Sequence, residues 1–256
     1  MTVAWIALKT ILRKEMVRIL RIWIQTLIPP AITMSLYFLI FGRLVGRRIG
    51  EIVEGFTYMD FIVPGLIMMS VITNSYSNVV SSFFSAKFQK NIEEILVAPV
   101  PASVIVIGYG LGGVARGLLV GCMVVLISMF FTSLKIYDLS VLVVTIVLTA
   151  VLFSQAGFLN ALFARKFDDI SIVPTFILTP LKYLGGVFYS IHMLGEPWKT
   201  ISLFNPILYM VNAFRFGFLG FTDIPLPRAF AIIVLFIAIS FTTNVLLMRR
   251  GYGIRQ

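Results

Sequence analysis

One cysteine, one histidine and few charges are what this 256-residue sequence offers to chemistry. Charged residues make up 12% of the chain, about half the roughly 25% of a soluble domain, which excludes an ordinary water-coated enzyme. Cys122 by itself can form no intrachain disulfide or cysteine cluster, and within its apolar stretch it reads as a small buried hydrophobe. His192 is a lone histidine in a loop, and no His/Cys/carboxylate group has metal-ligand spacing. No Gly-Lys dipeptide occurs, so the G-x-x-x-x-G-K-S/T phosphate loop is missing and the chain does not hydrolyse ATP by itself. Acids are missing from the apolar runs as well, with Asp60 only at an edge. Proton-driven carriers keep relay acids or histidines there, so this absence disfavours them, and a membrane-embedded enzyme lacks its catalytic groups.

Apolar residues, by contrast, are abundant, at 59% of the chain with a mean hydropathy of +0.99. A crossing helix needs about 20 of them in a row. Such runs cover 23–42, 60–83, 104–131, 139–163, 170–190 and 229–248, which predicts an all-α polytopic membrane protein with six transmembrane helices, in a single domain spanning 1–256. A further apolar stretch at 203–220 carries Asn205, Pro206, Asn212 and Arg215, all costly in lipid. Charge decides its role. With six spans and the N-terminus inside, cytoplasmic segments hold twelve of the 21 Lys and Arg: 9, 13, 14, 18, 21, 87, 90, 165, 166, 249, 250 and 255. External segments hold seven, with Arg43, Arg47 and Arg48 running against the trend. A seventh span would put Arg249, Arg250 and Arg255 outside, against the positive-inside rule. The region 191–228 is therefore expected to be an external re-entrant hairpin, with both termini cytoplasmic. The net charge of +10 then records topology and implies no nucleic-acid partner.

Residues 1–22 precede the first span. Trp5, Leu8, Leu12, Met16, Ile19 and Trp23 recur at spacings of three and four, the pattern of an amphipathic helix lying in the headgroup layer against membrane lipid. Lys9, Arg13, Lys14, Arg18 and Arg21 interrupt any signal-peptide core, so the first span is expected to direct insertion, and Pro29 and Pro30 should kink it or delay its start.

Two cations fall inside spans, Arg116 and Lys182. Each either snorkels or finds a carbonyl, or else faces a watery cavity or an anionic cargo group. Lys182 is the better pathway candidate because Pro174, Pro180, Gly185 and Gly186 share its segment, and it would suit an amphipathic or anionic cargo. Gly113, Gly117 and Gly121 form a small-residue ridge that serves either intrachain packing or a dimer contact. The polar run from Thr73 to Ser82 serves interhelical hydrogen bonding or lines a pathway.

Two loops are assigned to the cytoplasm. Residues 86–103 include a helix-forming stretch from Lys87 to Ala98 that ends at Pro99 and Pro101 and carries Lys90, Glu93 and Glu94. Phe88, Ile92, Ile95 and Leu96 give this stretch a face to bury. The second loop, 164–174, places Asp168 and Asp169 before a span, where they can also cap it. A membrane protein without an engine that exposes short amphipathic cytoplasmic helices invites a soluble motor to dock.

At these residues the sequence resembles the ABC-2 type transporter permeases, in particular the small bacterial inner-membrane branch. KNIEEILVAPVP at 90–101 is similar to the family's first coupling helix, and FIVPGLIMMS at 61–70 is also similar to family members. Most specific is the final third: Leu178, Leu181, Leu184-Gly185, Val187, Leu194-Gly195, Pro206-Ile207, Tyr209 and Arg215. The resemblance implies six spans with an N-terminal interfacial helix and an external re-entrant hairpin. It also implies a homodimer whose two copies each sit on a separate ATP-binding subunit, which carries the ATP and Mg. Lys90, Glu93 and Glu94 would transmit motion at the first contact, and Asp168 and Asp169 at a second. Pro206, Tyr209 and Arg215 would hold the hairpin, and the cycle would serve export of an unread substrate. An ATPase-independent transporter or lipid flippase is the alternative.

Overall fold

A computed structural model describes residues 3–46, 50–53, 55–133 and 135–253. Arg47, Arg48 and Arg255, which enter the charge count, lie outside the described residues.

Five helices are long and apolar enough to cross a membrane: Trp23–Gly42, Tyr58–Phe88, Ala102–Ser128, Leu139–Phe163 and Leu226–Arg249. The first follows helix α1 (Val3–Arg21) after a break at Ile22, whose φ of −106° and ψ of 31° leave the helical region. It begins as α2 (Trp23–Tyr37), keeps Pro29 and Pro30 inside and continues as a π-helical turn, Phe38–Val45. The prolines therefore neither delay its start nor end it. A small antiparallel hairpin, β1 (Glu51–Val53) and β2 (Phe56–Thr57), leads to the next helix.

Helix α3 (Tyr58–Phe88) is the axis of the bundle. A capping box starts it: the Thr57 hydroxyl accepts from the Asp60 backbone N–H while the Asp60 carboxylate accepts from the Thr57 backbone N–H, filling two orphan donors at once. At 1.5 Å per residue its 31 residues reach about 46 Å, well past a hydrocarbon core of about 30 Å. It is buried along nearly its whole length, with Phe61, Leu66, Ile72, Phe83 and Phe84 inaccessible. Helices α5 (Ala102–Ser128) and α6 (Leu139–Phe163) flank it.

Glycine sets how closely α5 packs. Its ridge of Gly113, Gly117 and Gly121 lies on Val71, Ser75 and Val79 of α3, so it serves intrachain packing. A Cβ at Gly117 would overlap the Ser75 hydroxyl. Gly108 and Gly112 form a second edge, which receives Ile11 and Glu15 of α1. Cys122, expected to be buried, is exposed on α5 instead, because Gly113, Gly117 and Gly121 take the inward positions.

The expected crossing at 170–190 is not a helix of that length. It forms α7 (Asp169–Ile172), a π-helical stretch Val173–Leu178 and α8 (Thr179–Tyr183), then turns at Leu184–Gly186. Pro174 and Pro180 remove backbone donors, and Gly186 takes a φ of +68° that ends helical continuation. After α9 (Trp198–Leu203), the ambiguous stretch 203–220 forms α10 (Pro206–Leu219). Asn205 caps it by accepting from the Ile207 N–H at 3.0 Å, Pro206 takes the first turn, and Gly220 closes it at a φ of +70°. Helix α11 (Leu226–Arg249) completes the bundle against α6 and α10.

Candidate functional site

The first candidate region is built from short elements at one end of the bundle. Lys90 adopts a left-handed φ of 60°, which stops α3 and turns the chain into α4 (Asn91–Val97). Pro99 and Pro101 then fix an extended link to α5. The expected single stretch from Lys87 to Ala98 is thus split, with Lys87 still on α3. Ile92 anchors α4 in the core at 2% exposure, while Lys90, Glu93, Glu94, Leu96 and Val97 stay exposed. A groove of about 600 Å³ separates α4 from α1, lined by Ile6, Thr10 and Lys14 on one side and Glu94, Ile95 and Ala98 on the other.

The second loop joins the same end. Phe167 packs edge-on against Phe84 and Phe88, with ring centroids 5.0 and 4.8 Å apart. The Lys87 ammonium donates to the carbonyls of Ala161, Leu162 and Ala164, which are left open where α6 ends. A depression of about 220 Å³ brings Lys90 and Glu93 together with Arg165. The two expected contact residues of this loop part company. Asp168 is exposed, whereas Asp169 accepts from the backbone N–H groups of Arg165 (2.8 Å) and Lys166 (3.0 Å). These donors hold its carboxyl below the usual carboxylate range, so its observed work is to shape the turn.

The second candidate region lies halfway along α3. A cavity of about 340 Å³ opens between α2, α3, α5 and α8, and both cations singled out in the spans line it. Lys182, 7% exposed, donates to the Thr73 hydroxyl at 3.0 Å. Arg116 is half-buried, and its Nε has no hydrogen-bond partner.

The third is the fold of 184–225 against the bundle. Arg215 is wholly buried; its Nη2 donates to the Gly186 carbonyl at 2.7 Å, its Nε to the Phe61 carbonyl at 3.3 Å, and it stacks 3.7 Å from the Phe61 ring centre. The Tyr209 hydroxyl donates to the Leu203 carbonyl at 2.7 Å and ties α9 to α10. Asn205, beside Pro206, donates to the Leu181 carbonyl at 2.6 Å, next to Lys182. The Ser190 hydroxyl donates to Asp223 and not to His192, whose imidazole sits 3.9 Å from that carboxylate.

The described residues form a long helical bundle that holds no metal-ligating cluster and carries a groove at one end. Residues 6–219 match the family described as ABC-2 type transporter. The chain belongs to that family. Among its relatives, the inner membrane transport permease YadH of Escherichia coli strain K12 is 59% identical over 252 residues, 98% of each chain. Nodulation protein J of Rhizobium leguminosarum bv. viciae is 21% identical over 210 residues, 82% of this chain and 79% of its own. Its namesake in Neorhizobium galegae is 20% identical over 216 residues, 84% and 82% respectively.

In this ABC-2 protein the residue that sequence reasoning missed is Glu15. Helix α1 turns Ile11, Glu15 and Ile19 into the bundle, while Trp5 and Trp23 of the expected lipid-facing stripe are more than half exposed. Glu15 is completely buried, accepts from the Ser82 hydroxyl and from Asn78 Nδ2 (3.3 Å), and pairs with Arg18 at 3.1 Å. Arg18 in turn donates to both oxygens of Asn78, the closer at 2.7 Å. The polar residues near the end of α3 therefore clamp α1 to the bundle. The only advance signal was that Glu15 is the sole acid among the cations of this helix.

Proposed function

We propose that this chain is the membrane subunit of an ATP-driven exporter in the bacterial inner membrane, with ATP and Mg on a separate ATP-binding cassette subunit docked at the α1–α4 end. The observation that carries the reading is the cytoplasmic groove. It has an apolar floor, Ile6 and Ile95, between a cation and an acid, Lys14 and Glu94, and it joins two elements continuous with membrane helices. A subunit pressed into it pushes directly on α2 through α1 and on α3 and α5 through α4. Glu93 and Lys90 extend the contact toward Arg165, and Asp168 supplies its far edge.

Orientation follows from charge. Lys87, Arg165 and Arg250 gather at the same end of the bundle as the groove, and the positive-inside rule puts that end, with both termini, in the cytoplasm. The relative named as an inner membrane transport permease gives the compartment.

In this reading α7, the π-helical stretch and α8 form the remaining crossing, which enters from the cytoplasm and stops near the bilayer centre. Lys182 meets Thr73, the sixteenth of the 31 residues of α3, and Asn205 meets Leu181. The α9–α10 pair thus dips to mid-depth before α10 climbs back to the external end, where the Gly217 carbonyl accepts from the backbone of Tyr137 and Asp138, each at 2.9 Å. That is a re-entrant hairpin held by Pro206, Tyr209 and Arg215. A second copy is the proposed neighbour of the exposed apolar side chains Ile32 and Leu36 on α2 and Phe176 and Ile177 beside α8.

The test is co-expression with a candidate ATP-binding subunit, purification through this chain and measurement of ATP hydrolysis. Hydrolysis should copurify, and Glu93→Ala with Glu94→Ala should lower the copurified rate about tenfold, the scale of two lost interfacial charge contacts. Absence of any copurifying hydrolysis, or an unchanged rate in the double variant, contradicts the docking assignment.

A further inference from the structure

Three inward-turned cations of the bundle each have several acceptors supplied by the protein. Arg18 has Glu15 and Asn78, Lys87 has three carbonyls, and Arg215 has two carbonyls and an aromatic face. Lys182 and Arg116 differ. Lys182 meets one hydroxyl, and Arg116 meets no acceptor or acid among the described residues. Both line one cavity at mid-depth, where unpaired charge is costly unless an anion or water is there to meet it.

The rest of the lining fits a multi-oxygen anion attached to a hydrocarbon. Ser70, Thr73, Asn74 and Ser77 line the cavity along one face of α3, where the Thr73 hydroxyl donates to the Met69 carbonyl at 2.8 Å and Asn74 Nδ2 to the Ser70 carbonyl at 3.0 Å, and no Asp or Glu lines it. Ser70 Oγ is buried without a hydrogen-bond partner. Two cations in one cavity match a phosphate better than a single carboxylate, since phosphate carries more charge and offers more acceptor oxygens. Across the cavity stand Met34 and the Pro29–Pro30 pair of α2. A chain attached to the anion can lie along this apolar wall.

We propose that the cavity between α2, α3, α5 and α8 binds the phosphate-bearing head of an amphipathic molecule through Lys182 and Arg116. This rests on the transporter reading and specifies the cargo of its pathway: the head group crosses on the two cations while the hydrocarbon stays in the membrane. Thr73 acts as a positioning residue that holds the Lys182 ammonium toward the cavity.

Native mass spectrometry of the purified full-length chain tests this, with dioleoyl phosphatidic acid, dioleoylglycerol and inorganic pyrophosphate as probes. Phosphatidic acid should bind at least about tenfold more tightly than dioleoylglycerol, which has the same tails and no phosphate. Lys182→Gln and Arg116→Gln should each remove about tenfold of that preference, as expected for loss of one charge-assisted contact. The conservative Lys182→Arg and Arg116→Lys should retain most of it, which separates charge from misfolding. Equal binding of the two lipids, or a preference unchanged in both Gln variants, overturns the site. Displacement of phosphatidic acid by pyrophosphate at comparable concentration overturns the amphipathic part and assigns the site to a soluble anion. No ATP or added ATPase enters the assay, so its failure leaves the docking reading standing, and failure of docking leaves this result interpretable.

Discussion

Replacing Arg215 with leucine is expected to destabilise the protein by about 3 kcal/mol, since two buried carbonyl acceptors and an aromatic face lose their only shared donor. The guanidinium is wholly buried and joins the Phe61 carbonyl at the start of α3 to the Gly186 carbonyl at the turn after α8. Leucine removes the cost of burying a charge, which offsets part of the loss. It cannot satisfy the carbonyls or fill the same volume. Lysine keeps a charge and one donor direction but not the planar fork, so Arg215→Lys should fall between leucine and wild type. Thermal unfolding in detergent, followed by size-exclusion fluorescence, should show a midpoint lower by roughly 10 °C for the leucine variant. An unchanged midpoint would mean that the α9–α10 region is held by its apolar contacts alone, such as Ile207 on Gly185.

Glu15→Ala is expected to have the next largest effect, about 2 kcal/mol, because it strands Asn78 and Ser82 inside the bundle without their acceptor. The loss is smaller than for a fully buried ion pair, since Arg18 keeps a quarter of its side chain exposed and can turn toward water. The functional cost should exceed the stability cost. With α1 no longer clamped to α3, a subunit pressing on the α1–α4 groove moves α1 alone. Glu15→Gln, which keeps the shape and one acceptor oxygen, should retain most stability. Comparing unfolding midpoints with copurified ATP hydrolysis in these two variants separates the effects. Equal losses of both in Glu15→Ala and Glu15→Gln would argue against a mechanical role for the clamp.

Much of this architecture was legible from apolar run length, because a lipid-facing helix has to satisfy its backbone internally and stay apolar for the full thickness of the bilayer. Four of the expected spans fall within a few residues of α3, α5, α6 and α11, and the first coincides with α2 and its π-helical extension. Run length failed at 170–190, where hydropathy continues while the backbone does not. Pro174, Pro180 and Gly186 were visible, yet hydropathy carries no information about where a chain turns back into its own core. Interfacial spacing did not reveal the bundle-facing side of α1, for a related reason. A glutamate among cations reads as solvated, and only the groove left by Gly108 and Gly112 on a helix about a hundred residues away selects the face with Ile11, Glu15 and Ile19.

The candidate residues divide in the same way. Lys90, Glu93 and Glu94 stood out because a charged, half-apolar turn between two membrane helices has little other reason to exist, and they lie exposed at one end of the bundle. Asp169 had the same appearance in sequence but is taken up by its own turn. Lys182 was identifiable as a costly intramembrane charge, whereas its association with Arg116 in one cavity required the packing of four helices. Arg18 also sits with a cation-bearing face toward α3, yet its acid partner makes it structural.

Docking of an ATP-hydrolysing subunit at the α1–α4 end, as proposed, is tested most directly by site-specific photocrosslinking in intact cells. A photoreactive residue at Val97, 87% exposed at the end of α4, should capture an ATP-binding subunit, while the same residue at Phe130, 84% exposed beyond the opposite end of α5, should not. Capture from both positions, or from neither, would contradict the account.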